Sequence, residues 1–189
     1  LLNSGGPDGE IGASMRYLSQ RFTAPNRVCM AVLTDVATEE LGHLEMVSTI
    51  VHQLTANLTV EEIENQGFAD YYVDHAVGIW PQSAGGIPFN SCEFQSKGDP
   101  VTDMFESMAA EQKARSTYDN ILRVVRDIPE IADPIRFLRA REVVHFQRFG
   151  EALQSLQDQL NSKNFYQMNP SFDTGLTREP CDCQGECVQ

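Results

Sequence analysis

One spacing of acidic and imidazole side chains occurs twice in this chain, and few folds can satisfy it. Glu10 precedes Glu40 by 30 residues, and His43 follows three later. Glu111 precedes Glu142 by 31 residues, and His145 follows three later. On a helix, residues three apart share a face. The face carrying Glu40 and His43 is otherwise apolar, with Leu33, Val36, Ala37, Leu44, Val47, Ile50, Val51 and Leu54 in helical register around them. An unpaired buried charge is costly, so groups placed this way are normally paired or bound to a metal. Glu39 and Glu45 fall off that stripe and are expected on the wet face.

The periodicity places four long helices around this pattern. The first ends near Phe22, is interrupted by Gly5-Gly6-Pro7-Asp8-Gly9, and turns Glu10, Ser14, Tyr17 and Leu18 inward. The second runs from Arg27 to Leu54, after a break at Pro25. The third covers Asp103 to Arg126, with Met104, Met108, Glu111, Ala114, Tyr118, Ile121, Leu122 and Val125 inward. Asp127-Ile128-Pro129 ends it, and Pro134 fits the first turn of the fourth. That helix reaches Leu160 and turns Ile135, Leu138, Glu142, His145, Phe149, Leu153 and Leu156 inward. Between the second and third lies a crossover over 56–100, with a capping box at Thr59 to Glu62 that predicts a short helix. Connections this long are usually functional.

Two helical hairpins of equal span bring Glu10, Glu40, His43, Glu111, Glu142 and His145 to one level of a four-helix bundle. Lone Glu residues on two helices and Glu-x-x-His on the other two are the pattern of ferritin-like dimetal carboxylate proteins. The predicted fold is therefore all-α, a ferritin-like bundle over residues 1–174, followed by a polar tail over 175–189. Two divalent cations want mainly oxygen donors with a few imidazoles, and their four positive charges match four inward carboxylates. A single Glu-x-x-His is common and usually solvated. The matched pair makes the difference. His52 and His75 fall outside the set and are not read as ligands.

Composition narrows the partners. A net charge of −13 disfavours nucleic acid and anionic membrane surfaces, although it also serves plain solubility. No apolar run reaches the length of a membrane span, and no secretory signal opens the chain, which begins with Leu. The five cysteines are an odd number, which argues for a reducing compartment over a disulfide framework. Cys181, Cys183 and Cys187 in the tail fit a soft-metal site or intermolecular cross-linking, and an inert tail better than either. Phe165, Tyr166 and Phe172 are candidates to pack back onto the bundle.

The sequence resembles the manganese catalase family, in its spore-coat branch of CotJC type. The stretches that carry the resemblance are Gly5 to Glu10, Tyr17 to Arg21, Thr38 to Met46, Phe94 to Pro100, Ala110 to Arg115 and Arg141 to His145, and it spans residues 4 to 174. The resemblance implies that Glu10 and His43 bind one manganese, Glu111 and His145 a second, and that Glu40 bridges them. It gives Glu142 a catalytic role beside the metals, moving protons. It also implies a homohexamer, and Asp35 matches one ligand of a calcium site whose full set is not present. The N-terminal segment that usually precedes the first helix is short or missing here.

The implied reaction is disproportionation of hydrogen peroxide to water and dioxygen at two manganese ions, in the cytoplasm or the spore coat, with other coat proteins as further partners. The same ligands accept iron, so a di-iron oxidase or peroxidase of rubrerythrin type is the nearest alternative. Glu142 as a sixth ligand would favour it, whereas the absence of a rubredoxin-like Cys-x-x-Cys pair speaks against it. A structural coat protein with a stabilising metal site is the third reading.

Overall fold

The computed structural model describes residues 5–67, 69–75, 81–83 and 86–162. Six helices are described: α1 (Glu10–Gln20), α2 (Arg27–Thr55), α3 (Val60–Asn65), α4 (Ala69–His75), α5 (Pro100–Val125) and α6 (Pro129–Ser162). Single 3-10 turns at Arg21–Thr23 and Ser91–Phe94 complete the helical set. The bundle is built from α1, α2, α5 and α6, with α1 packed on α2, α2 on α6, α6 on α5, and α5 lightly on α1.

Local chemistry sets the helix ends. Asn26 caps α2 by accepting the Cys29 N–H at 2.9 Å. Thr59 and Glu62 form the expected capping box on α3. Asp99 caps α5 by accepting the Thr102 N–H at 2.8 Å, and Pro100 opens the helix. That start is three residues earlier than expected, because Pro at the first helical position is pre-shaped for it and has no N–H to lose. The same holds for α6, which starts at Pro129 and runs through Pro134. Pro134 is thus inside the helix, not in its first turn.

Apolar packing divides into two clusters with a polar layer between them. Tyr17, Leu33, Val36, Met104, Phe149, Leu153 and Leu156 belong to the larger. Val47, Tyr118, Ile135 and Leu138 form the smaller. The larger brings early residues of α2 and α5 together (Leu33 and Val36 with Val101 and Met104), and the smaller brings late ones together (Val47 with Tyr118), so these two helices run parallel. Parallel neighbours in a bundle need a long connection, which residues 56–99 supply. Leu54, expected inward, is 54% exposed. It lies on the last turn of α2, a 29-residue helix whose hairpin partner α1 has only 11 residues.

The end of the crossover is pinned to the bundle. The buried Asp103 carboxylate accepts the N–H groups of Lys97 at 2.7 Å and Gly98 at 3.1 Å. Gly98 has φ of 76°, a conformation glycine adopts freely. Gln20 donates to Ser96 at 3.1 Å and accepts from Ser107 at 2.9 Å, joining crossover, α1 and α5. The tail cysteines and aromatics, Trp80 and the side chain of His75 lie outside the described residues.

Candidate metal centre

Glu10, Glu40, His43, Glu111, Glu142 and His145 are brought into one layer, each no more than 2% exposed. Glu40 occupies the middle. Its Oε2 lies 2.7 Å from His43 Nδ1, and its Oε1 lies 2.8 Å from His145 Nδ1. The imidazoles are nearly parallel, with centroids 5.3 Å apart and planes inclined by 17°. Around this axis Glu142 Oε1 stands 3.4 Å from His43 Nδ1, and Glu111 Oε2 stands 3.4 Å from His145 Nδ1. Glu10 Oε2 is 4.0 Å from His43 Nδ1. Donor atoms of Glu40, His43, Glu142 and His145 all fall within 4.8 Å of one another.

The donor set fits metal ions on a structural ground. Both oxygens of Glu40, Oε2 of Glu111, Oε1 of Glu142 and all four imidazole nitrogens are buried without an aligned hydrogen-bond partner. Buried polar atoms in folded proteins are seldom left so. A cluster of oxygen and imidazole donors is also the chemistry that borderline divalent cations prefer.

Electrostatics without cations carries the same message. Burial pushes the Glu10 and Glu111 carboxyls well above their usual range, and neighbouring carboxylates add to the rise. Glu142 is raised by burial too. Burial also acts to raise Glu40, but contacts with His145 and His43 outweigh it and hold its pKa at about 2. For His43, burial lowers and contacts with Glu142 and Glu40 raise, giving about 9. For His145, burial is likewise overcome by Glu111 and Glu40, giving about 11. Bound protons thus occupy the role that metal charge would otherwise fill.

Two features escaped the sequence reading. Glu39 is not on the wet face. Its carboxylate reaches the outer nitrogens of both imidazoles, with Oε2 3.1 Å from His145 Nε2 and Oε1 3.6 Å from His43 Nε2. Arg141 grips the same carboxylate through Nε at 2.5 Å and Nη2 at 3.1 Å. The inner nitrogens face Glu40 and the outer ones face Glu39, so the rings project past the helix face that places Glu39 outside. The second feature is a crossed pair of hydroxyls. Tyr17 of α1 donates to Glu111 of α5, and Tyr118 of α5 donates to Glu10 of α1. Each tyrosine follows its own helix's Glu by seven residues, a repeat that could have been read directly. Glu45 is exposed, as expected.

A bundle with carboxylate and imidazole donors gathered at one level defines a ferritin-like helical protein with a candidate metal site. The match to known sequences narrows this further. The chain belongs to the manganese-containing catalase family, whose profile matches residues 2–170. It is 44% identical over 162 residues to Protein CotJC of Bacillus subtilis, covering 86% of this chain and 85% of that protein. It is 30% identical over 161 residues to a probable manganese catalase of Clostridium acetobutylicum, covering 85% and 71%. The crystal structure of KatB, a manganese catalase from Anabaena, superposes with a TM-score of 0.73 at 30% identity, covering 82% of this chain and 69% of that one.

Proposed function

We propose that this protein is a manganese catalase that converts two molecules of hydrogen peroxide into two of water and one of dioxygen. The observation that carries the reading is Glu40, poised between two imidazoles in a layer of buried donors that lack protein partners. Family membership supports manganese as the metal and this chemistry as its work. Glu10 and His43 would hold one manganese, Glu111 and His145 a second, and Glu40, which touches both imidazoles, would serve both. When bound, the pair supplies a coupled one-electron change at each ion, so that one peroxide gains two electrons and two protons to give two waters, and another releases the same to give dioxygen.

The side chains do the rest. Glu142 has its pKa raised by burial and its Oε1 beside the centre, which suits it to take and return protons. Tyr17 and Tyr118 hold Glu111 and Glu10 in place through their hydroxyls. Burial of the whole layer keeps bulk water and larger reductants away. Resemblance to the CotJC-type branch supports the spore coat as location, other coat proteins as neighbours and a homohexamer as assembly. No helix among the described residues is long and apolar enough to cross a membrane.

Oxygen evolution from fully manganese-loaded protein given hydrogen peroxide tests the activity, and silence would overturn it. Anomalous scattering at the manganese and iron edges tests the metal. One observation favours a second reading, a di-iron oxidase or peroxidase: an oxygen of Glu142 groups with donor atoms of Glu40, His43 and His145, all within 4.8 Å of one another.

A further inference from the structure

Glu10 is the one member of the donor layer that sits at a helix end. Glu40, His43, Glu111, Glu142 and His145 lie well inside α2, α5 and α6, which run for 29, 26 and 34 residues. Glu10 is the first residue of α1, an 11-residue helix whose N-cap, Gly9, makes no side-chain capping hydrogen bond. Helices shorter than about 12–15 residues are marginal on their own, and a first turn without capping partners frays. Tyr118 grips the Glu10 carboxylate, but the backbone that carries it needs a hold of its own.

That hold comes from the crossover. Gly5 and Gly6 are buried, and the Gly9 N–H donates to the Gly6 carbonyl at 3.0 Å, closing the turn that leads into α1. A Cβ on Gly5 would stand 2.2 Å from Pro81 Cα and 2.6 Å from the Gln82 nitrogen, and one on Gly6 would stand 2.8 Å from Ser83 Cβ. Only glycine permits backbones to approach this closely. Residues 81–83 are themselves braced. The Ser83 N–H donates to the Ile87 carbonyl at 2.7 Å, the Ile87 N–H to Ser83 Oγ at 3.1 Å, and the Phe89 N–H to the Pro81 carbonyl at 2.8 Å.

We propose that residues 81–83 are a positioning element of the metal centre: by seating the backbone of Gly5 and Gly6, they hold Glu10 at the level of the other donors. The inference rests on the dimetal reading above. It makes the two metal positions unequal. The Glu111–His145 position draws on long helices. The Glu10–His43 position is completed through a glycine turn pressed against the crossover. Loosening that contact should empty the Glu10–His43 position and spare the other. The long connection between α2 and α5 thereby gains a task beyond joining two parallel helices.

Manganese titration of the purified chain and a Gly6→Ala variant tests this. The parent should bind two ions. Gly6→Ala should weaken one of them at least about tenfold and leave the other within about threefold, the order by which residues in contact couple. In a Glu10→Ala background the same change should leave the remaining ion unaffected. Ser83→Gly removes the Cβ that the new methyl would strike, so the Gly6→Ala/Ser83→Gly double variant should bind no more weakly than Ser83→Gly alone. Gly42→Ala, whose Cβ meets nothing within 4 Å, should match the parent. Should Gly6→Ala fail to fold, Ser83→Gly by itself carries the test. It loosens the same contact and loses the Oγ bond to Ile87, and it should weaken the same single ion. Equal weakening of both ions in a folded variant, or of neither, overturns the positioning role. Fewer than two ions on the parent overturns the dimetal reading instead. Amide exchange then judges the contact alone: the Gly9 and Ala13 N–H groups, bonded to the Gly6 and Gly9 carbonyls, should exchange faster in Gly6→Ala, and unchanged exchange overturns the hold on α1.

Discussion

Glu39 on α2 and His145 on α6 meet at 3.1 Å on the outer side of the metal layer. The carboxylate is shared with His43 and clamped by Arg141, so one side chain orients both imidazoles. Carboxylates behind ligating histidines typically contribute about 10–100-fold in metal affinity. Glu39→Ala should therefore weaken both ions together by at least about tenfold, read by metal titration of the purified protein. Glu45→Ala, on the exposed face, is the control.

Glu40 and Glu10 should part company under the same test. Glu40 touches both imidazoles, whereas Glu10 lies near His43 alone. Glu40→Ala should lose both ions, and Glu10→Ala chiefly one. A Glu40→Ala protein that keeps two metals would refute the bridge.

Stability of the metal-free protein should fall with rising pH. His43 and His145 have folded pKa values raised to about 9 and about 11, against an unfolded value near ~6.5. Their contribution is fully present below that unfolded value and is lost as pH climbs through 9 toward 11. Glu10 and Glu111, also raised by burial, add the same sign from the acid side upward. Thermal melts between pH 6.5 and 9.5 should show a declining Tm without metal. With manganese bound the imidazoles are held neutral, and the decline should largely vanish.

Two helical glycines should respond with opposite signs. A Cβ at Gly12 would stand 2.4 Å from the Pro7 carbonyl oxygen, within the turn that presents Glu10. Gly12→Ala should cost about 1–3 kcal/mol, lowering Tm by several degrees. A Cβ at Gly42 meets nothing within 4 Å. There the same change should stabilise by roughly 0.5–1 kcal/mol. Paired melts check both.

The bundle and its polar layer were legible because helical periodicity and a duplicated spacing are both local signals. Glu10, Glu40, His43, Glu111, Glu142 and His145 all stand where those signals put them. Glu39 was not legible, because a helical wheel records the direction of a side chain and not the reach of a neighbouring ring. The starts at Pro100 and Pro129 were missed because Pro was read as a break, closing the crossover in one case and the third helix in the other, when it was the first residue of a helix. Leu54 was assigned inward by a period that continues after its hairpin partner has ended.

The crossed tyrosines have a consequence for how the bundle opens. Of its neighbouring helix pairs, α1 and α5 share the least backbone contact. Apolar side chains knit the other three seams, but this one is fastened around the centre by two phenol hydroxyls and lined with alanine. The seam with the least backbone contact among the bundle's neighbouring pairs thus closes directly over the donor layer. Whatever loosens the two hydroxyl latches therefore loosens the hold on Glu10 and Glu111 in the same movement.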